Sequence, residues 1–172
     1  MDTMIRLGVP ADAAALAELA ARTFSDTFAA DNRPEDMAAH EAEAYGPLIQ
    51  GRELADPNIT TLLVDMGDQF AGYAMVRNHP PPPPCVTGAN PIELWRFYVV
   101  KNWHGKGVAQ ALMNRVYAEA RRAGADTLWL GVWEHNPRAQ AFYRKCGYTD
   151  VGTQTFNVGD DVQAERVMVR PL

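Results

Sequence analysis

Between Leu94 and Ala120 the chain reads as strand, glycine turn and helix, and the turn holds residues suited to gripping an anion. The apolar run Leu94-Trp95-Arg96-Phe97-Tyr98-Val99-Val100 leads into His104-Gly105-Lys106-Gly107-Val108-Ala109, and an amphipathic segment follows. The first N–H groups of a helix lack intrahelical partners and sit at the positive end of its dipole, so such a turn favours a phosphate or pyrophosphate. Glycine lets the backbone come close to the ligand, and Lys106 adds a cation at the rim. The expected ligand is a phosphorylated cofactor, although a plain strand-to-helix turn fits the same residues. A P-loop requires G-x-x-x-x-G-K-[ST], which is absent, and a dinucleotide fingerprint fails because Gln110 stands where its last glycine belongs.

The pattern that remains is [Gln/Arg]-x-x-Gly-x-[Gly/Ala], met from Gly105 to Ala109 in every position except the first, where His104 stands. Downstream, Leu128-Trp129-Leu130-Gly131-Val132-Trp133-Glu134-His135-Asn136 precedes Pro137-Arg138-Ala139-Gln140-Ala141-Phe142-Tyr143-Arg144-Lys145-Cys146-Gly147-Tyr148. The two blocks, in this order and at this separation, resemble the GNAT N-acetyltransferases across essentially the whole chain. That resemblance implies an α/β (α+β) fold whose mixed, mostly antiparallel central sheet splays between the fourth and fifth strands, with helices on its flanks. It implies acetyl-CoA as co-substrate. The backbone of Phe97, Tyr98 and Val99 should pair with the pantetheine amides, and Gly105, Lys106, Gly107, Val108, Ala109 and Gln110 should cradle the pyrophosphate. Asn136 should face the pantetheine arm with Phe142 packed beside it, and Lys145 should reach a nucleotide phosphate. His104 departs from the family's Gln or Arg, but a neutral histidine still donates one hydrogen bond.

Attack of an amine on the thioester expels a thiolate of pKa ~8.5, which a phenol of pKa ~10 can protonate. The resemblance assigns that acid role to Tyr143. An alkyl ammonium of pKa ~10.4 is only about 0.04% neutral at neutral pH, a penalty near ~4.6 kcal/mol, so a base must accept its proton. Some relatives carry a Glu at the position of Gly131; here that carboxylate is missing. Glu93 is the expected substitute, with Glu134 as the alternative, either acting through water.

The elements that must hold these groups follow from periodicity. Ile5-Arg6-Leu7 reads as a first strand, and Pro10-Ala11-Asp12 opens an alanine-rich helix to about Arg22. Residues 23–55 read as helical pieces broken at Asn32-Arg33-Pro34 and Gly46-Pro47. Ile59–Asp65 and Phe70–Arg77 form a hairpin around Met66-Gly67-Asp68-Gln69. Pro80–Pro84 is five consecutive prolines, read as an irregular or polyproline II loop; an SH3-type ligand is the alternative, but no flanking arginine completes that motif. Glu93–Val100 is the cofactor strand. Ala109, Leu112, Met113, Val116, Ala120 and Ala123 make one helix stripe that Gly124 ends. Thr127–Val132 reads as a strand buried on both faces, and Asn136-Pro137 as N-cap and first position of the next helix. Gly147–Phe156 and Gln163–Val169 close the chain as an antiparallel pair.

At 172 residues and 47% hydrophobic, one domain over residues 1–172 is expected. A net charge of −5 disfavours nucleic acid and acidic membranes as partners and suits a cationic small molecule. Met1-Asp2-Thr3-Met4 shows no secretory pattern, no apolar run nears the ~20 residues of a membrane span, and two cysteines without CxxC suit a reducing cytoplasm. No metal site is expected, since His40, His79, His104 and His135 make no ligand pair. The resemblance allows a homodimer.

Within the GNAT group the chain is most similar to bacterial PaiA-type spermine/spermidine N-acetyltransferases. Thr23-Phe24-Ser25-Asp26-Thr27-Phe28, Asn32-Arg33-Pro34-Glu35-Asp36-Met37, Leu130-Gly131-Val132-Trp133-Glu134 and Thr155-Phe156-Asn157-Val158-Gly159-Asp160-Asp161 carry that likeness. Asp26, Asp31, Glu35, Asp36, Glu41, Glu43 and Glu53 then form an acidic wall over the acceptor, which a polyamine would favour. A peptide amine, a lysine or an antibiotic amine stays open. So do another acyl donor and a non-catalytic acyl-CoA sensor, which would bind CoA without turnover.

Overall fold

The computed structural model describes residues 4–172, so the reading of Met1–Thr3 as free of a secretory segment lies outside the described residues. Seven strands form one sheet in the order β1-β2-β3-β4-β5-β7-β6. They are β1 (Met4–Leu7), β2 (Ile59–Asp65), β3 (Phe70–Arg77), β4 (Pro91–Val99), β5 (Thr127–Trp133), β6 (Thr149–Val158) and β7 (Asp161–Pro171). Every neighbouring pair is antiparallel except β4 and β5. The helices are α1 (Ala13–Phe28), α2 (Pro34–Ala44), α3 (Pro47–Ala55), α4 (Val108–Arg122) and α5 (Pro137–Lys145).

The helix expected to stop near Arg22 runs on to Phe28. Thr23 does not break it, because its hydroxyl donates to the Leu19 carbonyl and Thr27 donates to that of Thr23. The buried stripe Leu16, Leu19, Ala20, Phe24 and Phe28 thus continues along one face. Pro34 and Pro47 occupy first-turn positions, where a missing N–H costs nothing, so α2 and α3 restart at the two predicted breaks.

α4 lays Val108, Leu112, Met113, Val116 and Ala120 against the sheet, each at most 4% exposed. They meet Leu62, Val64, Leu94, Leu128, Leu130 and Met168 in the main core. On the other face α1 covers Leu63, Tyr73 and Met75. The middle strands are therefore buried on both sides, which is why β2 and β5 read as nearly continuous apolar runs. Strand β5 runs one residue past its expected end, to Trp133. No helix among the described residues is long and apolar enough to cross a membrane.

Candidate active site

Strands β4 and β5 pair only from Pro91–Thr127 to Glu93–Trp129. Beyond Glu93 they part, and β4 stays paired with β3 as far as Val99. A bulge lies at the parting: Val76 faces Leu94 and Met75 faces Arg96, leaving Trp95 as the extra residue. A bulge bends the strand that carries it, so β4 leaves the sheet plane where its partner should continue. Trp95 is held between two cations, with the Arg77 and Arg96 guanidiniums 3.8 and 3.9 Å from its ring centre. The splay opens a cleft of about 1160 Å³.

One half of the cleft carries the features expected to grip a cofactor. The β5-facing edge of Leu94–Val99 is open; the Val100 N–H donates to Ala71 of β3, so by alternation the backbone of Phe97 and Val99 faces the open edge while that of Tyr98 turns to its β3 partner Tyr73. At its end the helix α4 begins, and its first N–H groups, on Val108, Ala109 and Gln110, meet no backbone carbonyl. Gly107 caps this turn at φ 80°, a left-handed conformation that a side chain would strain. The space around Gly105 and Gly107 is open. His104 turns inward: its Nε2 lies 2.6 Å from the Val99 carbonyl oxygen and so carries the hydrogen. That bond ties the turn to the strand it leaves and consumes one acceptor of the open edge.

Of the sequence-predicted residues, Glu93, Phe97, Tyr98, Val99, His104, Gly105, Ala109, Asn136, Phe142 and Tyr143 line this cleft. Lys106, Gly107, Val108, Gln110 and Lys145 do not. Val108 is buried in the core beneath the turn. Lys106 rests over the Trp103 ring, with 4.9 Å from Nζ to the centroid. Gln110 donates to Asn114, and Lys145 is exposed at the end of α5. Asn136 caps α5 by accepting from the Ala139 N–H at 3.1 Å, while Phe142 stacks on Phe97 at 5.7 Å.

Three titratable groups gather near the floor of the splay. Tyr143 is 8% exposed, packed against Phe97, Phe142 and Tyr148, and its hydroxyl makes no hydrogen bond among the described residues. Burial drives its phenol pKa far up, so it stays protonated. Glu93 is buried and accepts from Arg77 Nε at 2.5 Å. Burial raises its pKa, against the opposing pull of Arg77. Glu165 on β7 was not foreseen. It lines the same cleft, accepts from Gln154 Nε2 at 2.8 Å, and has its pKa raised by burial and then by the charge of Glu93. Nothing local marks it, since an acid in an alternating terminal strand reads as solvent-facing. Glu134, the alternative base, is an exposed neighbour of His135 outside the cleft lining.

The other half is aromatic and acidic. Phe24, Phe28, His40, Tyr45, Trp133 and Phe156 line it, with Phe24 stacked on Phe28 at 4.5 Å and on His40 at 4.2 Å. Burial lowers the His40 pKa, which keeps the ring neutral. Asp26, Asp31, Glu43 and Glu53 join them from α1, the turn after it, α2 and α3. Arg96 neutralises Glu53 at 2.9 Å, whereas Asp26, Asp31 and Glu43 form no ion pair among the described residues. The rest of the expected acidic wall lies elsewhere. Asp36 is buried against Arg33 and the Asp160 N–H, and Glu35 and Glu41 stay off the lining. The proline loop, through Pro80, Pro81 and Pro83, closes a further side.

A family model described as the acetyltransferase (GNAT) family matches residues 14–148. An uncharacterised N-acetyltransferase of Mycobacterium tuberculosis is 36% identical over 162 residues, 94% of this chain and 98% of that protein. An aminoglycoside N(6')-acetyltransferase type 1 of Stenotrophomonas maltophilia is 31% identical over 150 residues, 85% of this chain and 86% of its own. Among solved structures, the PaiA N-acetyltransferase of Thermoplasma acidophilum in complex with coenzyme A aligns over 100% of both chains, with a TM-score of 0.78 and 19% identity.

Proposed function

The chain belongs to the GNAT acetyltransferase family, an acyltransferase group using acetyl-CoA, and we propose that its acceptor is a polyamine such as spermidine or spermine. The observation that carries this reading is the pairing of an aromatic wall with Asp26, Asp31 and Glu43, carboxylates that form no ion pair among the described residues. A flexible polycation supplies both partners such a wall needs, charge for the acids and cationic faces for the rings. The likeness in fold to the PaiA enzyme agrees with it.

In this reading the open edge of Phe97–Val99 holds the pantetheine arm and the turn before α4 holds the pyrophosphate. Acetyl-CoA supplies the thioester. Tyr143, protonated because it is buried, donates its phenol proton to the leaving sulfur. A carboxylate beside the parting of the strands takes the proton of the acceptor amine: Glu93 acting through water, or Glu165 of β7, which lines the same cleft. Lys101 and Arg138, cations of the lining without an acidic partner among the described residues, favour the phosphates of the cofactor.

A second reading, an aminoglycoside or related antibiotic amine, is favoured by the 31% identical Stenotrophomonas relative. Both acceptors are polycations, and the same acids would serve either. Purified protein mixed with acetyl-CoA and a panel of polyamines, aminoglycosides and peptide amines, followed by free thiol, separates them. Release with spermidine or spermine, with a KM that Asp26→Asn and Glu43→Gln raise while the KM for acetyl-CoA holds, is the expected result. Release confined to aminoglycosides or peptides overturns the polyamine assignment. CoA binding without release from any amine overturns the enzyme reading in favour of a sensor.

A further inference from the structure

We infer that Glu165 is the direct proton acceptor for the substrate ammonium, its carboxylate filling the space that Gly131 leaves on the neighbouring strand. The inference rests on the N-acetyltransferase reading above and names a residue of that same site.

The geometry begins with the β5–β7 pairing, in which Gly131 faces Val167 and Trp133 faces Glu165. From that register the Glu165 side chain lies back along β5. A Cβ built on Gly131 would fall on Glu165 Oε2 and, 2.5 Å away, on Gln154 Nε2. Glycine at 131 is thus the condition for the β7 carboxylate to be where it is. A carboxylate absent from β5 in sequence is supplied from β7 in space.

The surroundings suit a base. Glu165 has no cationic partner among the described residues, whereas Glu93 is held by Arg77. Its single hydrogen bond, from the neutral Gln154, fixes the side chain without saturating it. The groups acting on it are Gln154 from β6 and Glu93 from β4, the latter itself paired with Arg77 from β3; Tyr143 of α5 feels the charge of Glu165 in turn. Burial raises the Glu165 pKa against the Gln154 hydrogen bond, and the charge of Glu93 adds to the rise, the direction a general base needs. Glu93 in this assignment is the neighbouring charge that raises the basicity of Glu165, not the base itself.

The proton balance is simple. The ammonium gives one proton to Glu165, and the freed amine lone pair forms the C–N bond at the thioester carbonyl. The C–S bond then breaks, and the sulfur takes the Tyr143 phenol proton. The nitrogen returns its second proton to the phenolate, while Glu165 releases its own to solvent. One amide, one thiol and one proton leave per turnover.

The test uses the whole protein with acetyl-CoA and the amine that supports thiol release. Glu165→Gln keeps the volume at that position and should lower kcat by about 10²- to 10⁴-fold, with the acid limb of the pH–rate profile lost. Glu165→Ala combined with Gly131→Glu returns a carboxylate to the same space from β5 and should recover part of the rate and the acid limb. Glu93→Gln should keep the acid limb but shift it to lower pH. Separately, a ¹³C-carboxyl titration of the free wild-type protein should find Glu165 above the ordinary ~4.3, falling in Glu93→Gln. An active wild type whose rate and acid limb survive Glu165→Gln overturns the role of Glu165 and leaves the acetyltransferase reading intact. Rate loss with an unmoved limb and no recovery in the double variant also overturns it, since that pattern marks a structural residue. A wild type that releases no thiol with any amine removes both readings at once.

Discussion

Arg77 donates from Nε to the Glu93 carboxylate at 2.5 Å, and the same guanidinium lies 3.8 Å from the centre of the Trp95 ring. The pair thus joins β3 to β4 at the bulge where the active cleft opens. Its partners are 18% and 9% exposed, so each depends on the other for compensation. Burial still outweighs Arg77, and the folded Glu93 pKa lies above its unfolded value. Its contribution to stability is then fully present below the unfolded pKa and is lost as pH rises through the folded one. Arg77→Met should exaggerate this. At neutral pH it should cost about 3–5 kcal/mol, and the deficit should shrink on acidification as Glu93 protonates. Urea unfolding at neutral and mildly acid pH checks this, and Arg77→Met with Glu93→Gln should be the more stable variant at neutral pH.

Arg6 ties β1 to two other parts of the chain, binding Asp12 at 2.9 Å and Asp65 at 2.8 Å. Its hydrogen bonds lower both carboxyl pKa values. Here the sign reverses. The stabilisation is present above the ordinary carboxylate pKa of ~3.9 and is lost as pH falls through the depressed folded values. Arg6→Met should lower stability by roughly 1–2 kcal/mol at neutral pH, given that the site is partly exposed. The gap between variant and wild type should close in strong acid, as thermal unfolding across that range would reveal.

Tyr143→Phe removes a hydroxyl that makes no hydrogen bond among the described residues, so packing against Phe97 and Tyr148 should survive. If the phenol is the acid, kcat should drop by about 10²- to 10⁴-fold with acetyl-CoA affinity unchanged. Because burial raises its pKa, the wild-type rate should show no loss from phenol ionisation up to the ordinary ~10. Unchanged kcat in the variant would move the acid role elsewhere.

Gly107→Val places a branched side chain at φ 80°, strained by at least ~1–2 kcal/mol. The turn should distort and cover the first N–H groups of α4. Calorimetric affinity for CoA should weaken at least tenfold, with kcat at saturating acetyl-CoA little changed. An equal loss in kcat would mean that the turn also sets the position of the thioester.

What the sequence determined by itself was local. Hairpin strands Ile59–Asp65 and Phe70–Arg77 fall at their predicted bounds because alternation and the intervening turn act over a few residues. The glycine turn, the buried stripe of α4 and the Asn136 cap of α5 were legible for the same reason. Arg22 was misread as a helix end because the hydroxyls of Thr23 and Thr27 satisfy helix carbonyls, a satisfaction that residue type alone does not show. Tertiary structure decided which of these groups meet. The Trp95 bulge that parts β4 from β5 follows from register against β3, and the His104 bond to Val99 from the path of the turn. Glu165 reaches the cleft only because β7 pairs with β5 and Gly131 leaves room. Such relations depend on packing between segments distant in sequence, where side-chain reach and excluded volume, not periodicity, choose the neighbours.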